Sequence, residues 1–318
     1  FIFAYFHKRI SLYITGIKAL IYTNLTLSKF KNTIEIIITY CFYFILKRLP
    51  ITYARTLGVG LSKIALALWQ RINRITNINL KHFLPNSNPN KIINGMTTNI
   101  GLILGEMFHW PTLSQSYYNQ HVKIISPFPL HLKNKPAILV SAHFGNWELA
   151  PRIFLEEKLN VRCVHRPLNN PYVNRLLLKN RIISEQDLIP KGTGGVKSII
   201  KCLTSGTSVG MLVDQRHDDG EIVSFFGNDV RTTLLPANIA QKYNIPIVIL
   251  RVQRRSDDSS CYDVSFSELS VADKSETPVR IMQRIYNEFE NWIKEAPEQY
   301  FWAHRRMDKE FYKNNKKN

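Results

Sequence analysis

The sequence predicts an α/β protein with a central, mostly parallel sheet flanked by helices. An N-terminal hydrophobic helix, expected to anchor the chain to a membrane, precedes it. Three observations predict this. From about residue 137 onward, short apolar runs of strand character alternate with amphipathic segments of helical period. Several of those runs end in turn-forming residues that also carry chemistry, the place where open α/β sheets hold ligands. The first fifty residues are apolar and basic together.

Taken in order, residues 1–50 form the expected membrane-anchoring segment. Its densest apolar run is Ile34 to Leu46, closed by Lys47-Arg48. That run is shorter than the roughly 20 residues of a spanning helix and contains Glu35. Tyr40, Tyr43 and the flanking cations suit an interface, so the anchor is read as spanning or interfacial. No small-residue cleavage site follows, and Arg48-Leu49-Pro50 leads straight into the next helix. Residues 51–110 read as helical, with Leu57, Leu61, Ile64, Ala65 and Leu68 on one stripe and Ile93, Met96, Ile100, Ile103, Leu104 and Met107 on another. Strands are expected at Ala137–Ala142, Val161–Val164, Val209–Val213, Ile247–Val252 and Tyr262–Phe266. Helices are expected at Asn146–Leu155, Tyr172–Ile183, Val196–Leu203, Ala237–Tyr243 and Val279–Lys294. Residues 51–312 make one catalytic domain, and the Lys/Asn-rich residues 313–318 are expected to be disordered.

The 318 residues are 45% hydrophobic, ample for a core, and 42 basic against 24 acidic residues give a net charge of +18. Such an excess favours an acidic partner: nucleic acid, an anionic membrane, a phosphorylated substrate or an acidic carrier protein. Abundant Ile, Asn and Lys, the mark of an AT-rich genome, account for part of it. No zinc finger, RNP-type aromatic motif or basic heptad pattern supports nucleic acid. The four cysteines are far apart and form no CxxC pair, so neither a disulfide framework nor a metal site is expected.

The chemistry concentrates in five places. In His143-Phe144-Gly145-Asn146-Trp147-Glu148, a strand ends at His143 and a helix begins near Glu148. On one continuous helix, residues five apart diverge by about 140°. A loop-to-helix junction instead lets Glu148 fold back onto His143, where a carboxylate on one ring nitrogen fixes the tautomer and strengthens the other as a base. The pair Gly145-Asn146 lets a ligand approach the backbone, which makes Asn146 a substrate-contact candidate. A His and a Glu five apart occur often by chance, so the pair alone proves little. Second, Arg166 follows the strand at 161–164 and Arg181 follows one helix later. Both are candidates to hold phosphate or an oxyanion, with surface charge as the alternative. Third, Lys191-Gly192-Thr193-Gly194-Gly195-Val196-Lys197-Ser198 resembles a phosphate loop without matching Walker A. Gly192 is thus either an anion-binding position or part of a tight turn. Fourth, Asp214-Gln215 ends another strand, with Asp214 a candidate to orient a cation such as Arg181. Fifth, Tyr300-Phe301-Trp302 stand beside His304, Arg305 and Arg306. They suit an anionic amphiphile at a membrane surface, with Arg305 as a contact, or else are core aromatics beside solvated cations. No nucleophile elbow, HExxH or dinucleotide fingerprint is present. What remains is a His/Glu base for a hydroxyl with cations nearby, which fits acyl transfer to an anionic acceptor without a covalent enzyme intermediate.

In these motifs and their order the chain resembles the bacterial lipid A lauroyl/myristoyl acyltransferases of the lysophospholipid-acyltransferase-like superfamily. His143 to Glu148 matches that family's HX4D/E motif. Arg166-Pro167-Leu168-Asn169-Asn170-Pro171, Asp214-Gln215, Phe225-Phe226-Gly227, Pro297-Glu298-Gln299-Tyr300 and His304-Arg305-Arg306 match as well. The resemblance implies an enzyme on the cytoplasmic face of the inner membrane. It would move a fatty acyl chain from acyl carrier protein, or acyl-CoA, to the 3-hydroxyl of an acyl chain on a lipid A precursor, without a cofactor. His143 would be the general base and Glu148 its orienting partner, with Arg181 and Asp214 at functional positions. Alternatives are an acyltransferase for another glycolipid, such as a phosphatidylinositol mannoside, or a basic membrane-associated binding protein without activity.

Overall fold

The computed structural model describes residues 24–168, 170–179, 188–271 and 275–315. Four helices come first: α1 (Asn24–Arg48), α2 (Ile51–Leu68), α3 (Gln70–Phe83) and α4 (Pro89–Glu106). Pro50 separates α1 from α2, since proline cannot extend a preceding helix. Asn88 caps α4 by accepting the Lys91 amide at 3.2 Å, with Pro89 in the first turn. α2 and α4 pack backbone against backbone: a Cβ on Gly58 would stand 2.2 Å from the Gly101 carbonyl oxygen. That contact later brings Arg55 and Glu106 together.

The short α5 (Gln115–His121) then leads into the sheet. Its strands are β1 (Val122–Ser126), β2 (Ile138–Ser141), β3 (Val161–His165), β4 (Leu188–Pro190), β5 (Ser208–Leu212), β8 (Ile247–Arg254) and β9 (Tyr262–Leu269). They lie in the order β1-β9-β8-β2-β5-β3-β4. All neighbours are parallel except β8 and β9, which run antiparallel. A separate hairpin pairs β6 (Glu221–Phe225) with β7 (Asn228–Thr232). The crossovers use α6 (Ala150–Glu156), α7 (Pro171–Lys179), α8 (Thr193–Thr204) and α9 (Leu235–Tyr243). α10 (Pro278–Glu295) and α11 (Lys309–Asn314) complete the described chain. The central strands are apolar on both faces because both faces are covered. Ile138, Val140, Val209, Ile247 and Ile249 meet the stripe Ile281, Met282, Ile285, Tyr286, Phe289 of α10. Leu139, Val248 and Leu250 meet Ile153 and Phe154 of α6 on the other side.

The expected strands all form, within one to three residues at their ends. Three features differ. The helix expected from Asn146 begins as a single 3-10 turn, Trp147–Leu149, and becomes α6 only at Ala150, where Pro151 suits a first turn. β1, β4 and the β6–β7 hairpin were not expected. β1 and β4 are edge strands, and β4 is three residues long, too short for any periodicity. Of the segment 313–318, Lys313 and Asn314 belong to α11, and residues 316–318 lie outside the described residues.

Helix α1 does not stand apart from the domain. Tyr43 and Leu46 pack with Val173 and Leu176 of α7 and with Leu104 and Phe108. His109 meets the Leu46 carbonyl at 2.8 Å. The outer face of α1 exposes Ile37, Tyr40, Phe44 and Ile45, and α2 adds Tyr53, Ile64 and Leu68. Among the described residues no helix is long and apolar enough to cross a membrane, so the spanning form of the expected anchor has no helix there to carry it.

Candidate active site

The register of β2 and β5 builds the centre. Ser141 lies opposite Leu212 in this parallel pair. Two residues beyond each partner stand His143 and Asp214. Equal offsets past a registered pair leave the two side chains adjacent, and the His143 Nδ1 lies 2.7 Å from the Asp214 Oδ1. The His143 backbone amide donates to the other carboxylate oxygen at 3.1 Å. Both side chains are 2% exposed. With Nδ1–H given to Asp214, a neutral ring keeps its lone pair on Nε2. Burial pushes the Asp214 carboxyl up, but the His143 ring and its hydrogen bond, the Arg306 guanidinium and His304 outweigh it and hold the group well below the usual carboxylate range. Arg306 is itself buried, donates to Tyr286 Oη at 3.1 Å and lies over the Phe225 ring at 5.0 Å.

A second imidazole adjoins the first, with the His143 and His304 ring centroids 4.8 Å apart. Burial, then the neighbouring His143, keeps His304 well below the usual histidine range, so it is neutral near pH 7. The Gln215 amide nitrogen lies 3.4 Å from His143 Nε2 and 3.2 Å from His304 Nε2.

The loop carrying His143 is fixed from behind. Gly145 adopts φ +58, and a Cβ there would lie 1.7 Å from the Val252 carbonyl oxygen, so only glycine fits. The Gly145 amide donates to the Gln299 carbonyl at 3.0 Å, and the Asn146 amide to that of Val252 at 3.2 Å. Phe301 donates its amide to the His143 carbonyl at 2.9 Å. Asn99 donates to the Gly145 carbonyl at 2.9 Å and accepts from Arg254 Nε at 2.9 Å. Beneath them Glu106, 0% exposed, accepts from Arg55 Nε at 2.8 Å, from Arg254 Nη1 at 2.8 Å and Nη2 at 3.1 Å, from Asn146 Nδ2 at 2.8 Å, and from the Tyr262 hydroxyl. Burial pushes the Glu106 carboxyl up; Arg254, Arg55 and Tyr262 overcome it and keep the group below its ordinary range.

In front of His143 opens a cavity of about 690 Å3, within the range of ligand sites. It runs over the C-terminal ends of β2, β3, β4 and β5. Glu148, Arg166, Lys191, Gly192 and Gln215 line it, as do Phe154, Leu178, Val196 and Ile199. Desolvation and the Arg166 guanidinium both lower the Lys191 pKa, which marks two cations close together on one wall.

The expected site residues divide accordingly. Arg166, Gly192 and Glu148 line the cavity with His143. The carboxylate on Nδ1 is that of Asp214, in the place expected for Glu148, because strand register brings the ends of β2 and β5 together. Asp214, expected to orient Arg181, is thereby committed to His143; Arg181 lies outside the described residues. Asn146 is 0% exposed and points into the Glu106 network, so it supports the loop instead of contacting substrate. Arg305 lies against the Tyr312 ring at 5.8 Å and is not on the cavity wall; the adjacent Arg306 is the guanidinium that acts on Asp214. Tyr300, Phe301 and Trp302 are core residues, not a surface for an amphiphile, because the chain here pairs Tyr300 with Phe144 under the His143 loop. Glu106 and Arg254 were missed, and Gln215 and His304 stood in the motifs Asp214-Gln215 and His304-Arg305-Arg306 without a role of their own as site residues. The only signal of Glu106 and Arg254 in the sequence was charge inside otherwise apolar stretches, as at Glu106 between Gly105 and Met107.

The arrangement is a buried His–Asp pair whose other ring nitrogen, Nε2, faces a cavity with apolar walls and a cationic rim. The sequence profile of the bacterial lipid A biosynthesis acyltransferases matches residues 26–309. The chain is 25% identical over 273 residues to the lipid A biosynthesis lauroyltransferase of Escherichia coli (strain K12), covering 82% of this chain and 87% of that protein. The profile spans the HX4D/E loop, all the described strands and Arg306 behind Asp214, and on that match the chain belongs to the bacterial lipid A biosynthesis acyltransferase family.

Proposed function

We propose that the protein transfers a fatty acyl chain from acyl carrier protein, or acyl-CoA, to the 3-hydroxyl of an acyl chain on a lipid A precursor. The observation that carries this reading is the His143–Asp214 pair at the head of an apolar cavity rimmed by Arg166 and Lys191. His143 Nε2 takes the proton of the acceptor hydroxyl, and the oxygen attacks the thioester carbonyl carbon. Asp214 holds the ring and stabilises the imidazolium. Glu148 places a second negative charge on the cavity wall that favours the same imidazolium. The two cations receive anionic groups of the acceptor. The imidazolium then protonates the leaving thiolate. No cofactor is needed.

The experiment is turnover of the purified chain with an acyl carrier protein thioester and a tetra-acylated, Kdo-bearing precursor. His143→Ala is expected to lose roughly 10²–10⁴-fold, the usual worth of a general base. Turnover of that variant at the wild-type rate would remove His143 from the chemistry. Mass spectrometry of lipid A from cells with and without the protein identifies the chain transferred and its acceptor.

We further propose that the enzyme works at the cytoplasmic face of the inner membrane, seated by the outer face of α1. Ile37, Tyr40, Phe44 and Ile45 supply apolar contact there, and Lys47 and Arg48 supply charge for anionic headgroups.

A further inference from the structure

Gln215 is unexplained by the base and its carboxylate. It is half-buried on the cavity wall, and its amide nitrogen stands between two imidazoles, 3.4 Å from His143 Nε2 and 3.2 Å from His304 Nε2. A ring nitrogen that carries a lone pair requires a donor. His143 gives its Nδ1 proton to Asp214, so its Nε2 is an acceptor. A side-chain amide has two N–H donors on one nitrogen, and this nitrogen has His143 Nε2 on one side and, with His304 neutral in its Nδ1–H tautomer, a second acceptor on the other. The carbonyl end of the amide is thereby turned away from both rings.

We propose that Gln215 is a further catalytic residue, whose amide N–H donates to the oxyanion formed on the thioester carbonyl, and that His304 is the positioning residue that keeps this N–H aimed at the reacting atoms. The proposal rests on the acyl-transfer reading. A hydroxyl bonded to His143 Nε2 takes the place that the Gln215 N–H fills in the empty site. The amide nitrogen then adjoins the nucleophilic oxygen and the carbonyl it attacks. As the oxygen–carbon bond forms, the hydroxyl proton passes to Nε2 and the carbonyl electron pair moves onto oxygen. The Gln215 N–H meets that charge, while its other hydrogen stays on His304. Collapse restores the carbonyl, breaks the carbon–sulfur bond and sends its electron pair to the thiolate, which takes the proton from the imidazolium. Arg166, also on the cavity wall, is assigned above to anionic groups of the acceptor, and two further guanidiniums are placed elsewhere. Arg306 lies behind Asp214 on Tyr286, and Arg216 is held by the Met307 carbonyl at 3.1 Å and Asp218 at 3.1 Å.

The test compares Gln215→Ala, the isosteric Gln215→Glu and His304→Phe with the wild type, in detergent, measuring kcat and KM for both substrates. Loss of one oxyanion donor lowers kcat by about 10²–10³-fold and leaves KM within about twofold. Both Gln215 variants are expected to show this, and Gln215→Glu keeps the shape should the alanine variant fold poorly. His304→Phe keeps a ring but removes the acceptor, and is expected to lower kcat about tenfold at unchanged KM. A Gln215 variant with kcat within twofold of wild type, or one that raises KM alone, overturns the oxyanion role. A second readout needs no turnover. Nitrogen-15 NMR of the histidine rings should show the lone pair of the neutral His143 ring on Nε2, with a resonance that moves in Gln215→Ala. A proton found on Nε2 of the neutral ring would mean the amide presents its oxygen, and the proposal fails. Absence of any wild-type acyl transfer counts against the functional reading, and the NMR result then decides the Gln215 orientation by itself.

Discussion

At the scale of single residues, two carboxylates compete for the role of partner to His143, and the structure separates them. Asp214 is buried on Nδ1, whereas Glu148 lies half-buried on the cavity wall. Their substitutions should therefore differ. Asp214→Asn keeps the shape but lets the amide favour the wrong tautomer, and kcat is expected to fall by up to about 10⁴-fold, as for the same change in a Ser-His-Asp triad. Glu148→Gln removes charge without disturbing the tautomer, and about a tenfold loss is expected, the size of one modest electrostatic contribution to the barrier. Equal losses measured in parallel assays would reverse this assignment. The sequence placed both residues near the chemistry but paired them wrongly. Glu148 is five positions from His143, and Asp214 is distant in sequence. Only the pairing of β2 with β5 shows that the distant residue is the neighbour.

At the scale of elements, the His143 loop is held less by its own strand than by groups from α4, β8, β9 and the segment after α10. Glu106 is the point where these meet. A buried carboxylate with two arginines is costly to break from one side, because the remaining charges stay buried without compensation. Glu106→Gln is expected to cost about 3–5 kcal/mol of stability, read from denaturant unfolding. A change below about 1 kcal/mol would mean that the network relaxes without loss. This layer was the least legible part of the sequence. Strands such as Ile138–Ser141 and Ile247–Arg254 declare themselves by apolar runs. A glutamate at the end of one helix and an arginine at the end of a strand look like ordinary surface charge until their elements pack. Likewise β1 and β4 are too short or too exposed for pattern to reveal, and Asn146 looked accessible because Gly145 beside it suggested an open backbone.

At the scale of the whole molecule, charge and apolar surface suit the interface between membrane and water. On the membrane-surface reading proposed above, the +18 excess and the exposed face of α1 would act on the same partner, an anionic bilayer. Replacing Phe44 and Ile45 together by Glu leaves the inner contacts of Tyr43 and Leu46 in place. It is expected to lower co-sedimentation with anionic vesicles by an order of magnitude or more, with little change in turnover of detergent-dispersed substrate. Unchanged vesicle binding would place the membrane contact elsewhere. The α/β architecture and the order of its motifs could be read from the alternation of elements alone. The place of α1 could not, because the same apolar run serves a spanning helix or one that lies against the domain; in the structure α1 packs on α7.

The segment from Gln299 to Arg306 carries a consequence for how the enzyme comes into being. It supplies a carbonyl to Gly145, an amide to the His143 carbonyl, a second imidazole and the guanidinium behind Asp214. A ribosome releases these residues after those of α1 and β2. Helix α1, with its exposed apolar face, and the strand that leads into His143 both emerge long before them. A nascent chain therefore has its basic apolar face available for lipid while its histidine lacks the groups that position it. Translation itself thus orders the two events: the apolar face of α1 is available first, and the His143 loop is held only once the segment from Gln299 to Arg306 has followed.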